Sequence, residues 1–499
     1  MRTLLLSLLL LPFSLAAQYT FEASHSDGNI AGRFYDVATL PNDVIVGAGQ
    51  HSVPTLVAYQ PDGQVLWKRT FANNQVNHFS FYSLRPAHGG GLVAYGIGKN
   101  PTTGDANDPF IMRTDNSGQP LWAKIYSGAH QELFTGGIRA TMDGGYIGCG
   151  ESIDANNNVA RYFMIKADSA GNRVWGNHYQ APIPVKASLF DVYEDENGDY
   201  YASGSLHDSA VVMKVSHTGA FSWLKFVYPQ GATFSFVRSM APSHTPGRFV
   251  CTGYVMGRSF IFEMDTLGSI SWGNFYDNIA NFDICRSPGG GYTAAGNSMI
   301  ALNGILMHVD NNGQSPWCRV LTSCERLYAV DTLYNGNGYA VGGEHFASNV
   351  TAYLARTDTA GKLYCSETSL SLWVNPANIT LIPGTMIVTS YFTASPFAVP
   401  QEEYTAGHSV LCLHIGMAPE PGTDALAAWP VPADEKLFLE LPDEAQWLIT
   451  LSDALGRTAL QKNLRGRKQE LDLVALPPGI YWLRAESGEK IVTKKILRR

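Results

Sequence analysis

Seven cysteines and one acidic loop are the side chains of this 499-residue chain with the most obvious reactive potential. The thiols are Cys149, Cys251, Cys285, Cys318, Cys324, Cys365 and Cys412; the count is odd, so at least one stays unpaired when disulfides form. Cys318 with Cys324, and Cys365 with Cys412, are the candidate pairs. Cys149 and Cys251 sit in strand-like runs and read as small buried hydrophobes. With no Cys-x-x-Cys, zinc and thioredoxin-like readings have little support. Asp195-Glu196-Asn197-Gly198-Asp199 alternates oxygen donors as a calcium loop would. It lacks the Gly after the last acid and the Glu near the loop end, so it reads as a turn. No His-Glu-x-x-His, Gly-x-Ser-x-Gly or phosphate-cradling loop followed by Lys occurs. No catalytic set, metal site or cofactor is therefore expected.

The elements that would carry such residues are set by a repeat. The phrase Asp-x-x-Gly-x-x-x-Trp, led by a Gly-rich hairpin, recurs seven times between residues 42 and 365. Its Trp stands at Trp67, Trp122, Trp175, Trp223, Trp272 and Trp317, at intervals of 55, 53, 48, 49 and 45. Its glycine stands at Gly63, Gly118, Gly171, Gly219, Gly268, Gly313 and Gly361. Cys365 takes the seventh Trp place, and Gln60 and Ser216 replace Asp in the first and fourth copies. Asp first and Gly fourth is a type I turn preference. A Trp buries ~150–250 Å² and suits a wedge between sheets. Four short strands need roughly 40–50 residues, the period of a propeller blade. Alternation and β-branched residues replace the 3.6-residue period of helical solenoids. The fold class expected is all-β: a propeller of about seven four-stranded blades over 18–365, then a small Ig-like sandwich. The repeat residues are read as scaffold.

Met1–Ala17 reads as a secretory signal peptide: Arg2, the apolar run Leu4–Leu11, then Ala16-Ala17. Gln18–Ala23 resembles the strand after each Trp and is expected to pair with the last blade. Residues 366–415 read as a β extension or a degenerate eighth blade, stapled to blade seven by Cys365–Cys412. Residues 416–428 read as a linker. The net charge of −8 argues against nucleic acid, and no segment is long and apolar enough to span a membrane as a helix.

Residues 429–499 carry a second pattern. Pro430 and Pro432 open it; Leu455-Gly456-Arg457 forms a turn; Leu476-Pro477-Pro478-Gly479-Ile480-Tyr481 follows, and Lys494-Lys495 precede the last apolar pair. In order and spacing this resembles the C-terminal sorting domain of the type IX secretion system of Bacteroidota. Trp429 and Val431 replace that family's usual Tyr and Asn. The resemblance implies an outer-membrane translocon and a sortase-like peptidase as partners. It also implies a protein released outside the cell or attached to the outer-membrane surface.

The body also looks partly like the tryptophan-docking motif of quinoprotein dehydrogenases and superficially like the sialidase Asp-box, but Asp and Gly lie three apart here rather than two. Two functions are expected. One is a non-enzymatic surface module binding a polysaccharide or protein. The other is a carbohydrate-active enzyme with its site in the channel. The insertions Lys99–Asp108 and Asp154–Val159 are the expected binding surface.

Overall fold

Each copy of the repeat phrase closes a hairpin. In the third, the Asp168 carboxylate accepts the N–H groups of Ala170 (2.9 Å) and Asn172 (2.8 Å), and Gly171 sits at φ +75°. This is a type I turn closed by a left-handed glycine. Asp115, Asp265, Asp310 and Asp358 act in the same way. In the fourth copy the Ser216 hydroxyl accepts the Ala220 N–H at 3.2 Å instead.

The computed structural model describes residues 17–26, 32–50, 53–71, 80–99, 106–128, 131–154, 159–182, 185–346, 350–390, 393–396, 407–417, 427–429, 435–441, 444–453, 457–466, 468–487 and 490–498. The leader up to residue 16, the middles of both insertions and Pro430, Pro432, Leu455 and Gly456 lie outside the described residues, as does most of the linker. Two compact units result, 18–416 and the C-terminal residues from 417.

In the larger unit, seven antiparallel sheets follow one another. Their innermost strands are Arg33–Leu40, Ser80–Pro86, Gln131–Ala140, Ala187–Glu194, Ser235–Pro242, Ile279–Arg286 and Arg326–Thr332, which number blades 1 to 7. Each inner strand packs on the next, and the seventh packs on the first, so the sheets close a propeller-like ring. One hydrophobic core fills each seam. Between blades 3 and 4, for example, Tyr162, Met164 and Trp175 meet Leu189, Val192 and Tyr200.

The repeat residues staple the seams. An alanine Cβ at Gly118, Gly171, Gly219, Gly313 or Gly361 would lie 2.5–2.8 Å from the Trp ring of the preceding blade. Four residues past Trp, the hydroxyls of Tyr126 and Tyr179 donate to the carbonyls of Gly171 (2.8 Å) and Gly219 (2.7 Å) of the next blade. The contact at Gly268 is looser, with Trp223 3.5 Å away.

Blade 7 takes its fourth strand from the chain's start. Ala17–Ser26 pairs with Val350–Thr357, and Phe21 faces Arg356, two residues before Asp358. Trp175 faces Lys166, two before Asp168, in the same way. Phe21 therefore fills the seventh Trp place, against Gly63. Cys365 does not, because the chain leaves the blade before it.

Among the described residues, 366–417 form no sheet of their own. Glu367–Ser369, Val374–Pro376, Ile379–Gly384, Ile387–Ser390 and Thr393–Pro396 add a fifth, outer strand to blades 6, 5, 4, 3 and 2 in turn. Gly407–Met417 then pairs with Ala17–Ser26 on blade 7. Six blades thus have five strands rather than the expected four. Blade 1 has four among the described residues.

The C-terminal unit is two sheets over one core. Ala427–Trp429, Lys436–Glu440 and Lys468–Asp472 form one; Thr458–Arg465, Gln446–Asp453, Gly479–Ser487 and Lys490–Arg498 form the other. Leu437, Leu439 and Leu471 face Trp447, Ile449, Leu451 and Leu483 between them.

Candidate functional site: the ring channel and its cavity

Every inner strand carries a register break at the same place, before Asp36, Ser83, Ile138, Asp191, Ser239, Asp283 and Ala329. A bulge re-aims the extra residue. Here Tyr35, Tyr82, Gly136, Phe190, Arg238, Phe282 and Tyr328 are re-aimed to line one small space of about 80 Å³, the neck of the channel. Tyr35 lies 5.5 Å from Tyr82 and 5.9 Å from Tyr328, centroid to centroid, and Phe282 lies 5.8 Å from Tyr328. The Arg238 guanidinium stacks 4.7 Å from the centre of the Phe190 ring, a cation–π contact in a partly dry site.

The next residue along forms a polar girdle that clasps the blades. Asp36 of blade 1 accepts the Ser83 hydroxyl (3.0 Å), the Leu84 N–H (2.8 Å) and Arg85 Nη1 (2.6 Å) of blade 2. Asp191 of blade 4 accepts the Ser239 hydroxyl (3.1 Å) and the Met240 N–H (2.9 Å) of blade 5, and Arg139 Nη2 (2.9 Å) of blade 3. Asp283 of blade 6 accepts the Val330 N–H of blade 7 (2.9 Å) and, at 2.6 Å, shares with Asp191 the single Ser239 hydroxyl proton. All three also take their following residue's N–H. Burial, reinforced by the Asp36 charge and opposed by Arg85, pushes the Asp283 carboxyl up to about 6.

Past the girdle the channel opens into a cavity of about 730 Å³, lined by the last residue of all seven inner strands: Leu40, Pro86, Ala140, Glu194, Pro242, Arg286 and Thr332. Its floor holds Arg85, Arg139, Asp283 and Asp331, and burial raises the Asp331 carboxyl. Its rim is apolar with a few polar groups: Met142 and Tyr334 are each 61% exposed, and Arg286 donates Nε–H to His244 Nδ1 at 3.0 Å. Glu194 on the rim accepts the Met142 N–H at 2.8 Å, and burial raises its carboxyl. The size suits a small ligand or the end of a chain.

The sequence-derived candidates fall elsewhere. Both insertions join second to third strands, so they leave the ring on the face opposite the cavity. Asp195 spends its carboxylate on the Asn197 and Asp199 N–H groups (2.9 and 3.0 Å) and the Tyr201 hydroxyl (3.0 Å), a turn within blade 4. Among the described residues no group of His, Cys, Asp and Glu is set to hold a metal. Cys365 and Cys412 are bonded, with Cα atoms 6.3 Å apart. Cys318 and Cys324 do not pair; both are free thiols, because one faces the core between blades 5 and 6 and the other the core between blades 6 and 7. The girdle was missed although it has a sequence signal. Tyr35-Asp36-Val37, Phe190-Asp191-Val192 and Phe282-Asp283-Ile284 share an aromatic–Asp–aliphatic phrase.

In the smaller unit the motif residues divide between core and surface. Leu476 and Tyr481 are buried, and the Tyr481 hydroxyl donates to the Pro477 carbonyl at 2.7 Å. Gly479 and Ile480 begin the strand paired with the C-terminal one, which holds Lys494 and Lys495. Arg457 is 74% exposed and holds Asp453 through Nε at 2.8 Å. Residues 427–499 match the family described as the secretion system C-terminal sorting domain. These residues are a type IX sorting domain. A type IX sorting domain marks a protein that is secreted or attached to the cell surface, and this chain has that destination. The match covers the C-terminal unit alone.

No curated protein matches the sequence. Among solved structures, the chain is similar to PorZ, described as an essential bacterial surface component of the type-IX secretion system of Porphyromonas gingivalis. Identity is 12% over 94% of this chain and 59% of PorZ, with a TM-score of 0.43. It is also similar to the Dos1 propeller, at 11% identity over 76% of this chain and 95% of that one, TM-score 0.43. The Cps50 (Swd1) β-propeller domain of Myceliophteria thermophila gives 10% identity over 67% and 100%, TM-score 0.43. The chain spans 59% of PorZ's length. Among the described residues no helix is long and apolar enough to cross a membrane.

Proposed function

We propose that this chain is a type IX cargo whose ring is a non-enzymatic binding module for a polysaccharide or protein outside the cell. In this reading Met1–Ala17 directs it to the periplasm of a member of the Bacteroidota. The Ig-like sandwich over 429–499 then presents the exposed Arg457 to the outer-membrane translocon, while Leu476 and Tyr481 hold it folded. A sortase-like peptidase removes it in the linker. The ligand meets the ring at the cavity rim, through Tyr334, Met142 and Arg286.

One observation supports binding over hydrolysis. Glycoside cleavage needs two carboxyl groups facing the scissile bond, one free to give a proton and one free to attack or to activate water. In this channel Asp36, Asp191 and Asp283 each accept three or more hydrogen bonds, at least two of them from neighbouring blades. The enzymatic reading keeps support from Glu194, a cavity carboxyl raised by burial and holding a single described hydrogen bond. The full-length protein, screened against neutral and uronate-bearing polysaccharides for both binding and new reducing ends, separates the two. Binding without product is expected; product release lost in Glu194→Gln overturns the proposal.

A further inference from the structure

The chain after the last blade returns to where it left. Cys365 follows blade 7; the chain then visits the outer edges of blades 6, 5, 4, 3 and 2 in that order, and Gly407–Met417 comes back to blade 7 carrying Cys412. The Cys365–Cys412 bond therefore closes a covalent loop whose described strands lie against six of the seven blades.

That loop does more than decorate the edges. Its apolar side chains plug the outer ends of the seam cores: Val374 between blades 5 and 6, Ile379 and Leu381 between 4 and 5, Met386 between 3 and 4. Gly273 makes room for Ile379, whose Cδ1 lies 2.8 Å from where an added Cβ would stand. Its last strand also covers the ring's only non-local blade closure among the described strands. In blade 7 the N-terminal strand lies between Val350–Thr357 and Gly407–Met417. The N-terminal strand cannot leave that sheet edge until the strand outside it does.

We propose that residues 366–417 are a belt whose disulfide buckle locks the ring shut after export into an oxidising compartment, and pins the belt's end once the sorting domain is cut away. The proposal rests on the export reading for the compartment and for the cut. Cys412 lies five residues before Met417, where the smaller unit begins. Without the buckle, removal of the sorting domain leaves the belt a free end able to peel from blade 7 inward. Closure is thiol–disulfide exchange. The two S–H bonds give one S–S bond, and the two electrons and two protons pass to a protein or small-molecule disulfide, which becomes two thiols.

The test uses the full-length protein and its secreted form. Alkylation of denatured, unreduced protein should label the five cysteines outside the buckle, and all seven after reduction. Reduction of the folded protein should speed amide exchange about tenfold or more in 367–396, 407–416 and 18–26, where edge pairing opens locally. The girdle strands should not change. Cys412→Ser should exchange like the reduced protein and no longer respond to reductant. If that variant fails to accumulate, reduction of the folded wild type decides alone. Secreted protein with seven free thiols, or exchange in 18–26 indifferent to reduction, overturns the belt and leaves the export reading standing.

Discussion

Two structures encircle this ring, and they hold it by opposite means. The inner girdle is short, dry and charged: Asp36, Asp191 and Asp283 are each nearly buried and filled with bonds from neighbouring blades. The outer belt is long and wet. Its strands run three to eleven residues; Ile387 on one of them is 54% exposed, and Trp373 in a connection between two is 79% exposed. Buried ionic bonds are costly to break singly, whereas an exposed edge strand gains little over water from each bond. The girdle can therefore dispense with a covalent link, and the belt cannot. The same contrast separates residues that hold the molecule from those free to meet a ligand. Girdle carboxylates are spent, while the rim above them keeps Tyr334 and Arg286 in solvent.

The contrast breaks most sharply at the girdle. Asp36→Ala should cost about 3–5 kcal/mol in denaturant unfolding, since it strands Arg85 and the Leu84 N–H in a buried site. An effect below about 1 kcal/mol would make the girdle an ordinary surface pair. Cys365→Ser should come next. Releasing a loop with sequence separation 47 costs about 4 kcal/mol by chain entropy, with about 2 kcal/mol a realistic floor. The whole loss should localise to the belt and the N-terminal strand. A single belt bond should matter least: Ser390→Ala, which removes the hydrogen bond to Asn177 Oδ1 at 2.8 Å, should cost about 0.5–1.5 kcal/mol.

Acidity separates the two regions without a mutation. The Asp283 carboxyl, raised to about 6 when folded, lies near 3.9 when unfolded. The folded state then holds its proton more tightly. That contribution to stability is complete below the unfolded value and is lost as pH rises through about 6. Unfolding measured from pH 4 to 7 should show this component falling in the wild type and absent in Asp283→Asn. Exchange from the belt strands Ile379–Gly384, Ile387–Ser390 and Thr393–Pro396, which contain no acidic or histidine side chain, should show no matching step.

The seams were legible in the sequence because they are written locally and repeated. The Trp–Gly contacts follow from one phrase; Gln18–Ala23 does pair with the last blade as its similarity to a post-Trp strand suggests, but in another register, with Phe21 in the Trp place rather than after it. The belt was not legible. Its strands are short, and their partners lie far off in sequence; Val388 pairs with Tyr179, for example. A pairing between distant segments leaves no period in either one. The Cys365–Cys412 pair alone hinted that the segment turns back on blade 7. The girdle was hidden for another reason. Its Asp residues stand in strand interiors, eclipsed by the more regular turn Asp, and only the bulges reveal that they share one layer. The cavity depends on all seven strand ends at once, which no single copy predicts.

The central claim is that the channel's carboxylates hold blades and the rim holds ligand. Its most direct test follows binding and chain cleavage together, with full-length protein and whichever polysaccharide of the panel it retains. The account predicts saturable binding weakened about tenfold by Tyr334→Ala and by Arg286→Ala, as for aromatic and arginine anchors at an interface, with no new reducing ends. New reducing ends made by the wild type and abolished by Glu194→Gln would contradict it.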